Sequence, residues 1–323
     1  MTAPDVVVLE GVWGQAFDAL AARREVLRVP TVDAVPREAL SGCRALVVRN
    51  RTHVATGLAD AAPSLQIVAR AGVGLDNLDL PALDAAGVVA VAALGANAAS
   101  VAEHALAGAL ALAKGLVEAD AATRGGIWDR TPRRELAGGV WGLLSAGATA
   151  RATAALARGL RMSVIAYDPY LEADDPRLRS AGIELLSLDE VLHRADVLSV
   201  HLPATAETAG LLDAGALAAM RPAAYLVNVG RGEVVDEDAL ADALERGHLG
   251  GAALDVRAHE PPGSSRLDTA PRTLFSPHVA GITVAAQERI AGVLVREVDA
   301  VLDGAAASAV VGSLDRPRPR KQP

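Results

Sequence analysis

The chain has 323 residues, 51% of them hydrophobic and 2% aromatic, with a formal net charge of -8 at pH 7. The length is typical of about two domains, and the negative charge, without a basic run in the predicted folded region, argues against nucleic acid or a membrane surface as a partner. Cys43 is the only cysteine, which excludes a disulfide framework and a cysteine-based zinc site, so we expect a cytoplasmic protein with no metal and no exported or membrane-spanning segment.

Short runs rich in Val, Ile and Leu alternate with Ala-rich stretches in the first hundred residues. The runs do not alternate in polarity, which is typical of parallel strands covered on both faces. We therefore predict a first α/β lobe over residues 1–98. Its predicted strands are 5–10, 44–49, 66–70 and 88–92.

Residues 97–116 follow as one predicted apolar helix. Ser100 and Glu103 have the spacing of a capping box, so we expect the helix to begin near Ser100. A helix of this length is long enough to connect two lobes.

A second series of apolar runs predicts six or seven further strands with helices between them. This pattern is typical of a doubly wound dinucleotide-binding domain, which we assign to residues 99–285. Residues 284–304 form a predicted amphipathic helix that returns to the first lobe, so the substrate domain is 1–98 with 286–323. We expect the Pro-rich tail, 313–323, to be disordered. The strands of the second series are 140–144, 163–168, 183–186, 196–201, 224–229, 251–256 and 273–276.

The segment after the strand 140–144 occupies the place of a phosphate loop, where helix amides and glycines allow close approach to a diphosphate. Its three glycine positions hold Ser145, Gly147 and Ala150. Gly147 permits the close approach, and Ala150 is an accepted variant. If Ser145 must adopt a positive φ, it costs about 1–2 kcal/mol, which weakens cofactor binding without abolishing it.

Asp168 ends the next strand, at the position where an acidic side chain accepts the hydroxyl groups of a ribose. Such a residue repels a 2'-phosphate, so it favours NAD over NADP. The alternative is that Asp168 only opens the turn at "DPY".

Arg231, Glu260 and His278 each follow a later strand of the second series. His278 suits a proton donor to a keto oxygen, a neighbouring Glu260 favours the imidazolium, and Arg231 offers two parallel donors to a carboxylate. Each has a plain alternative. His278 only hydrogen-bonds at a strand end, Glu260 only caps a turn before Pro261, or Arg231 is only solvated. Their shared position at the ligand-binding edge of such folds favours function.

These residues lie in segments that resemble the D-isomer-specific 2-hydroxyacid dehydrogenases of the phosphoglycerate dehydrogenase and hydroxypyruvate/glyoxylate reductase type. The resemblance extends from about residue 44 to 300. The segments that carry it are "ARAGVGLDNLDL", "GANAASVAEH", "VIAYDPY", "HLPATAETAGLLD", "YLVNVGRGEVVDEDAL", "GAALDV", "HEPP" and "SPHVAGIT".

The resemblance implies a fold and an assembly. The fold is α/β with two lobes, in which a doubly wound Rossmann-type NAD-binding domain is inserted into a smaller flavodoxin-like substrate domain. The assembly is a homodimer, and the helix that starts near Ser100 is its expected contributor.

The resemblance also implies roles for residues. It makes Arg231, Glu260 and His278 the catalytic set. It places the substrate carboxylate on the backbone loop 71–74, including Gly72, Val73 and Gly74, with Arg49 and Arg51 facing the substrate; either arginine is equally consistent with a solvated surface position. The cofactor contacts it implies are Gly147, Ala148 and Thr149 under the diphosphate, Asp168 on the ribose, Leu202 and Val229 as walls, Asp255 on the carboxamide, and Gly281.

Three departures from the family pattern stand out. The family loop normally has Gly at 145 and 150, and a larger, often basic residue at 148, where this chain has Ala148. Arg257 replaces a common aromatic residue, and "VAALGAN" lacks the usual Asn and Pro. None of them touches the acid–base set.

The resulting hypothesis is an NAD-dependent oxidoreductase acting on a small anionic 2-keto or 2-hydroxy acid of the D series, with His278 as acid and base. Two alternatives remain because of the altered loop. One is a nucleotide- or metabolite-binding module, and the other is a non-redox enzyme of the elimination or hydration type.

Overall fold

The computed structural model of the protein describes residues 3–72 and 74–318. The chain divides into two compact units: Ala98–Gly281 form unit 2, and the described residues before and after them form unit 1. All named strand pairs in both units are parallel. The predicted fold class, a doubly wound domain inserted into a flavodoxin-like one, is confirmed.

Unit 1 is built on a five-stranded sheet with the order β2-β1-β3-β4-β5, which is the flavodoxin-like order. Four of its strands are buried along their whole length, as their uninterrupted apolar sequences predict. The elements of unit 1 are β1 (Val6–Leu9), α1 (Gln15–Ala21), β2 (Val26–Val29), α2 (Arg37–Gly42), β3 (Ala45–Val48), α3 (Thr56–Ala61), β4 (Ile67–Arg70), α4 (Leu80–Ala85) and β5 (Val89–Ala92).

The last helix of the chain also belongs to unit 1. It is numbered α12 (Val284–Leu302) by its place in the chain, and it packs on α1 and β4. The Thr283 hydroxyl accepts a hydrogen bond from the amide of Ala286 at 3.1 Å and so caps its first turn. The helix that was predicted to return to the first lobe is thus part of unit 1.

Two features of unit 1 differ from the predictions. Strand β2 is an edge strand with the exposed Arg28 in its centre, so its sequence lacks the apolar run that marks the other strands. The tail prediction is wrong for residues 313–318, because Leu314 is 5% exposed and the amide of Arg318 donates to the carbonyl of Gly87 at 2.9 Å. Residues 319–323 lie outside the described chain.

Unit 2 is built on a seven-stranded sheet with the order β12-β11-β10-β9-β6-β7-β8. The order reverses between β6 and β9, and in such sheets ligands bind at the carboxyl edge next to this reversal. The elements of unit 2 are α5 (Ala98–Lys114), α6 (Leu116–Arg124), β6 (Val140–Leu144), α7 (Ala148–Gly159), β7 (Ser163–Tyr167), α8 (Pro176–Ala181), β8 (Glu184–Leu185), α9 (Leu188–Arg194), β9 (Val197–Val200), α10 (Ala214–Ala219), β10 (Tyr225–Asn228), α11 (Glu237–Glu245), β11 (Gly251–Leu254) and β12 (Thr273–Phe275).

The long apolar helix begins and ends differently from its prediction. It starts at Ala98, so Ser100 is a buried residue of the first turn and not a cap. It stops at Lys114, because Gly115 takes a left-handed conformation with φ 55° and starts α6 at an angle of 56°. Within the described residues no single helix has the length and hydropathy to cross a bilayer. The bent pair of α5 and α6 has that length and hydropathy only when the two helices are taken together. In this structure α5 packs on α7 and β10.

Candidate active site

The turn between β6 and α7 is stabilised by hydrogen bonds from side chains, at positions where the family normally has conformationally free glycines. Ser145 has φ 88°, so the strain expected at this position is present. Its hydroxyl oxygen accepts a hydrogen bond from the amide of Gly147 at 3.1 Å. The Arg151 guanidinium donates to the carbonyl of Ala146 at 2.6 Å. These bonds fix a backbone conformation that L residues seldom adopt.

The start of α7 fits a diphosphate. Among the described residues no side chain caps the helix, whose first residue, Ala148, is exposed. A Cβ atom added to Gly147 would meet only the hydroxyl oxygen of Ser145, at 3.4 Å, so the approach to the loop backbone is open. Thr149 is half-buried, and Ala150 is fully buried against the sheet, as expected for the helix-packing position. Unpaired amides and a positive helix end bind anions.

Asp168 lies directly after β7, beside this turn. One carboxylate oxygen accepts from the amide of Ala146 at 2.9 Å, and the other accepts from the amide of Tyr170 at 3.1 Å. The second bond is the turn contact of the alternative interpretation. The Ser145 hydroxyl also lies 3.5 Å from Oδ2, and the side chain is only half-buried, so the turn contact does not exclude the cofactor role.

Arg231 stands between two glycines that touch neighbouring loops. A Cβ atom on Gly230 would lie 2.7 Å from the carbonyl oxygen of Leu202, and one on Gly232 would lie 1.9 Å from the carbonyl carbon of Arg257. The loops after β9, β10 and β11 are thus in backbone contact. Arg231 is half-buried, and its guanidinium donates to the carbonyl of Gly230 at 2.9 Å.

The two expected cofactor walls lie at the same edge. Leu202 follows β9 and is 7% exposed, and Val229 follows β10 and is half-buried. Gly281, half-buried, is the last residue of unit 2.

His278 and Glu260 are in direct contact. Nδ1 of His278 lies 2.7 Å from Oε2 of Glu260, and both side chains are partly exposed, at 44% and 38%. A carboxylate only accepts hydrogen bonds, so Nδ1 carries the hydrogen and Nε2 is left to exchange a proton with a ligand. His278 also has φ 54°, a strained conformation of the kind found at functional sites.

Asp255 holds the loop that presents His278. Its side chain is 1% exposed, and its oxygens accept from the hydroxyl of Ser276 at 2.5 Å and from the amides of Val279 and Ala280 at 2.9 and 2.8 Å. His104 on α5 lies 2.9 Å from the same hydroxyl. The resemblance assigns Asp255 to the cofactor and does not indicate this positioning role.

Arg257, the departure from the usual aromatic residue, turns into the protein. It is 8% exposed and makes two bonds to Glu237, at 3.0 and 2.9 Å, and one to the Ser265 hydroxyl at 2.8 Å. Its own amide donates to Oε1 of Glu260 at 3.2 Å. Arg257 therefore anchors the segment that carries Glu260.

In unit 1, the loop with the two candidate arginines is organised by Glu10, which sequence reasoning missed. The Glu10 carboxylate accepts from the amides of residues 49–52, at 3.0 to 3.2 Å. Arg49 stacks on the ring of Trp13 at 5.0 Å and donates to the carbonyl of Gly11, whereas the side chain of Arg51 is 69% exposed. The signal for Glu10 is an acidic residue directly after the buried strand β1.

The expected carboxylate loop of unit 1 follows β4. A Cβ atom on Gly72 would lie 1.7 Å from a guanidinium nitrogen of Arg70, so the glycine makes room for that buried cation. Arg70 in turn donates to Asn77 at 3.3 Å. Gly74 is half-buried, and Val73 lies outside the described residues. Arg70 is a further missed residue, signalled by a charge at the end of an apolar strand.

No group of three or more potential metal ligands occurs in the described parts of the chain. Cys43 is a free, buried thiol, and burial raises its pKa to about 11. The chemistry available in unit 2 is therefore proton transfer at His278, anion binding by Arg231 and by the start of α7, and hydroxyl binding by Asp168.

Comparisons with known proteins give one matching family and several similar proteins. The family described as "D-isomer specific 2-hydroxyacid dehydrogenase, NAD binding domain" matches residues 106–280. The chain is 44% identical over 280 residues to a D-3-phosphoglycerate dehydrogenase of Mycobacterium leprae, covering 85% of this chain and 53% of that protein. The chain thus spans about half the length of that relative.

Two further proteins are similar over most of their own length. A (S)-sulfolactate dehydrogenase of Chromohalobacter salexigens is 40% identical over 80% of this chain and 84% of that protein. The structure of a D-lactate dehydrogenase from Aquifex aeolicus, complexed with NAD and lactic acid, has a TM-score of 0.81 at 26% identity and covers 93% of this chain and 96% of that one.

Proposed function

Because the chain belongs to the D-isomer specific 2-hydroxyacid dehydrogenase family and carries its NAD-binding domain, we propose that it transfers a hydride between NAD and a small anionic 2-keto or 2-hydroxy acid of the D series. The observation that carries this proposal is the contact of 2.7 Å between His278 and Glu260 at the carboxyl edge of the sheet. The cofactor, when bound, supplies or takes the hydride at C2 of the substrate.

His278 moves the proton. In reduction, the imidazolium donates from Nε2 to the keto oxygen as that oxygen gains charge, and neutral imidazole remains; in oxidation, the neutral imidazole takes the hydroxyl proton. Glu260 accepts the hydrogen of Nδ1 in both states, which fixes the ring orientation and the tautomer.

Arg231 binds the anionic end of the substrate. Its planar guanidinium offers parallel donors that match a carboxylate. In unit 1, the backbone at Gly72, Val73 and Gly74 is the second proposed carboxylate contact, with Arg49 and Arg51 as side chains toward the substrate. Arg49 stacks on the ring of Trp13, whereas the side chain of Arg51 is exposed.

The cofactor contacts are proposed from the same edge of unit 2. Gly147, Ala148 and Thr149 hold the diphosphate, and Asp168 holds the ribose and selects NAD. Leu202 and Val229 form the walls, while Asp255 and Gly281 lie at the nicotinamide end.

The decisive experiment follows NADH absorbance with a panel of 2-keto acids: glyoxylate, pyruvate, hydroxypyruvate, phosphohydroxypyruvate and sulfopyruvate. We expect turnover of at least one of them. Replacing His278 by Asn should lower kcat by about 10²–10⁴-fold and leave the Kd of NADH unchanged. His193→Asn is the matched control, because His193 is an exposed histidine of α9 whose bonds, among the described residues, stay within its own helix.

Two results would overturn the proposal. NADH binding without turnover of any acid would support a binding module. No NADH binding at millimolar concentration would support a non-redox enzyme.

The proposed assembly is a homodimer formed through the segment after α5. Four large apolar side chains there are exposed by 54–79%: Leu116, Val117, Ile127 and Trp128. Large apolar side chains that are exposed in this way are common at interaction surfaces. The free, buried Cys43 agrees with a reducing compartment such as the cytoplasm.

A further inference from the structure

A chain of polar side chains runs from the core of unit 2 to the start of α7. Nε1 of Trp141 donates to the hydroxyl of Ser199 at 2.8 Å, and this hydroxyl lies 3.0 Å from Nε2 of His201. Nδ1 of His201 lies 3.2 Å from the hydroxyl of Thr149, the second residue of α7. Trp141 and Ser199 are fully buried. The chain crosses between β6 and β9, where the strand order reverses.

The direction of these hydrogen bonds follows from what each group can donate. The indole nitrogen of Trp141 is only a donor, so the Ser199 oxygen accepts from it. The Ser199 hydrogen then points to Nε2 of His201, because the described residues offer that buried hydroxyl no other acceptor. His201 therefore carries its hydrogen on Nδ1 and donates it to Thr149.

His201 is neutral in this arrangement. Burial lowers its pKa to about 3, and Nε2 accepts a hydrogen bond that a protonated ring would lose. The Thr149 oxygen, which accepts from His201, keeps its own hydrogen for another acceptor. The neighbouring Ala148 has no polar side chain, and the amide of Gly147 is occupied by Ser145.

We propose that the Thr149 hydroxyl is a donor to the diphosphate of the dinucleotide and that His201, held by Ser199 and Trp141, is the positioning residue that aims it. This inference rests on the proposed function. Thr149 thereby adds a side-chain donor where Ala148 has none and where the Gly147 amide is bound by Ser145. His201 acts through Thr149 and does not itself touch the cofactor.

The first test compares binding with and without the hydroxyl. Thr149→Val should weaken NADH and ADP by at least about tenfold, because a hydrogen bond to a charged group is lost, and leave adenosine, which has no phosphate, unchanged as a competitor of NADH. Thr149→Ser should restore the affinity. Thr153→Val is the matched control: its hydroxyl is buried one turn later and bonds the carbonyl of Thr149.

The second test asks whether His201 acts through Thr149. His201→Phe should weaken NADH binding, but the double variant with Thr149→Val should be no weaker than Thr149→Val alone. Additive losses would mean that His201 has an independent structural role and would overturn the positioning role.

The third test is spectroscopic. The ¹⁵N signals of His201, identified by their loss in His201→Phe, should show the neutral form with hydrogen on Nδ1 between pH 5 and pH 8. A hydrogen on Nε2, or protonation in this range, would overturn the proposal. NADH binding that is insensitive to Thr149→Val would overturn this inference alone. A wild-type protein that binds neither NADH nor ADP would overturn the proposed function with it.

Discussion

The carboxylate of Asp168 accepts a hydrogen bond from the backbone amide of Ala146 at 2.9 Å. One side chain thus joins the end of β7 to the phosphate turn and is also the residue proposed to hold the ribose. The turn and the ribose site are therefore coupled, and a change at Asp168 acts on both.

Two substitutions at Asp168 separate these roles. Asp168→Asn keeps an oxygen for the Ala146 amide but loses the charge, so we expect the melting temperature to stay near wild type while the preference for NADH over NADPH falls by about tenfold or more. Asp168→Ala should also lower the melting temperature. Fluorescence titration with both cofactors gives the Kd ratio; a ratio that is the same in all three proteins would show that Asp168 does not select the cofactor.

Ser145→Gly should tighten NADH binding several-fold. The glycine removes a positive-φ strain of about 1 kcal/mol and releases the Gly147 amide, now bound by the Ser145 hydroxyl, toward the diphosphate. Ser145→Ala is the comparison, since it loses the hydroxyl and keeps the strain, and it should be the least stable of the three proteins. Unchanged NADH affinity in the glycine variant would mean that this amide takes no part in binding.

Glu10 should make unit 1 sensitive to acid. Burial alone would raise the pKa of Glu10, but hydrogen bonds from Arg51, Thr52 and Arg49 outweigh it and hold the pKa below the usual 4.5. A carboxyl with a lowered pKa stabilises the fold above its unfolded value of 4.5, and this contribution is lost as the pH falls through its folded value.

The variant for this prediction is Glu10→Gln. At pH 7 it should lower the free energy of unfolding by about 1.5–3 kcal/mol, because amides that face the carboxylate lose a charged acceptor. Urea unfolding at pH 7, 5, 4 and 3 measures the difference from wild type, which should shrink toward pH 3. A difference that stays constant with pH would contradict the role of the charge.

Arg257→Lys should weaken the anchor of Glu260. Lysine cannot reproduce the two parallel bonds to Glu237, so we expect a loss of about 2–4 kcal/mol in unfolding free energy and a lower kcat/KM with little change in the Kd of NADH. Arg266→Lys is the control, because Arg266 pairs with Asp242 and Glu245 on the exposed side of α11. Equal effects of the two changes would contradict a special role for Arg257.

Trp128→Ser should weaken the proposed dimer. Trp128 is 79% exposed in the single chain, and aromatic anchors dominate many interfaces. Light scattering after gel filtration should show a mass that falls toward 33.0 kDa on dilution, earlier than in wild type. Tyr170→Ser, at an equally exposed aromatic residue of unit 2, should leave the mass unchanged; a wild-type protein that is a monomer at all concentrations would exclude the dimer.

The sequence predicts the elements of both sheets wherever strands are buried on both faces. Strand β6 has its predicted bounds, 140–144, and the others differ by one or two residues at their ends. Edge strand β2 was not predicted, since none of its residues is buried and Arg28 breaks its apolar pattern. Ser100 is misleading because a buried Ser resembles a cap in sequence, whereas the turn before the helix lies at 94–97.

At the candidate site, the sequence indicates which residues take part in catalysis or binding. It does not indicate which residues position them. Asp255 is predicted for the cofactor, yet its buried bonds to the His278 loop depend on contacts across 21 to 25 residues. The pairing of Ser199 with His201 could be predicted from the sequence, because residues two apart along a strand direction share a face. Val197 is the other residue of β9 on that face and is apolar, so buried polar side chains there need a partner.

Gly232 leaves no room for even a methyl group against the peptide that joins Arg257 to Ala258. The turn that presents Arg231 and the segment that leads to Glu260 are therefore braced against each other, and neither can be lengthened, shifted or enlarged alone. Variants made to test the proposed activity on bulkier acids should therefore keep these two loops unchanged, because a change in one disturbs the other.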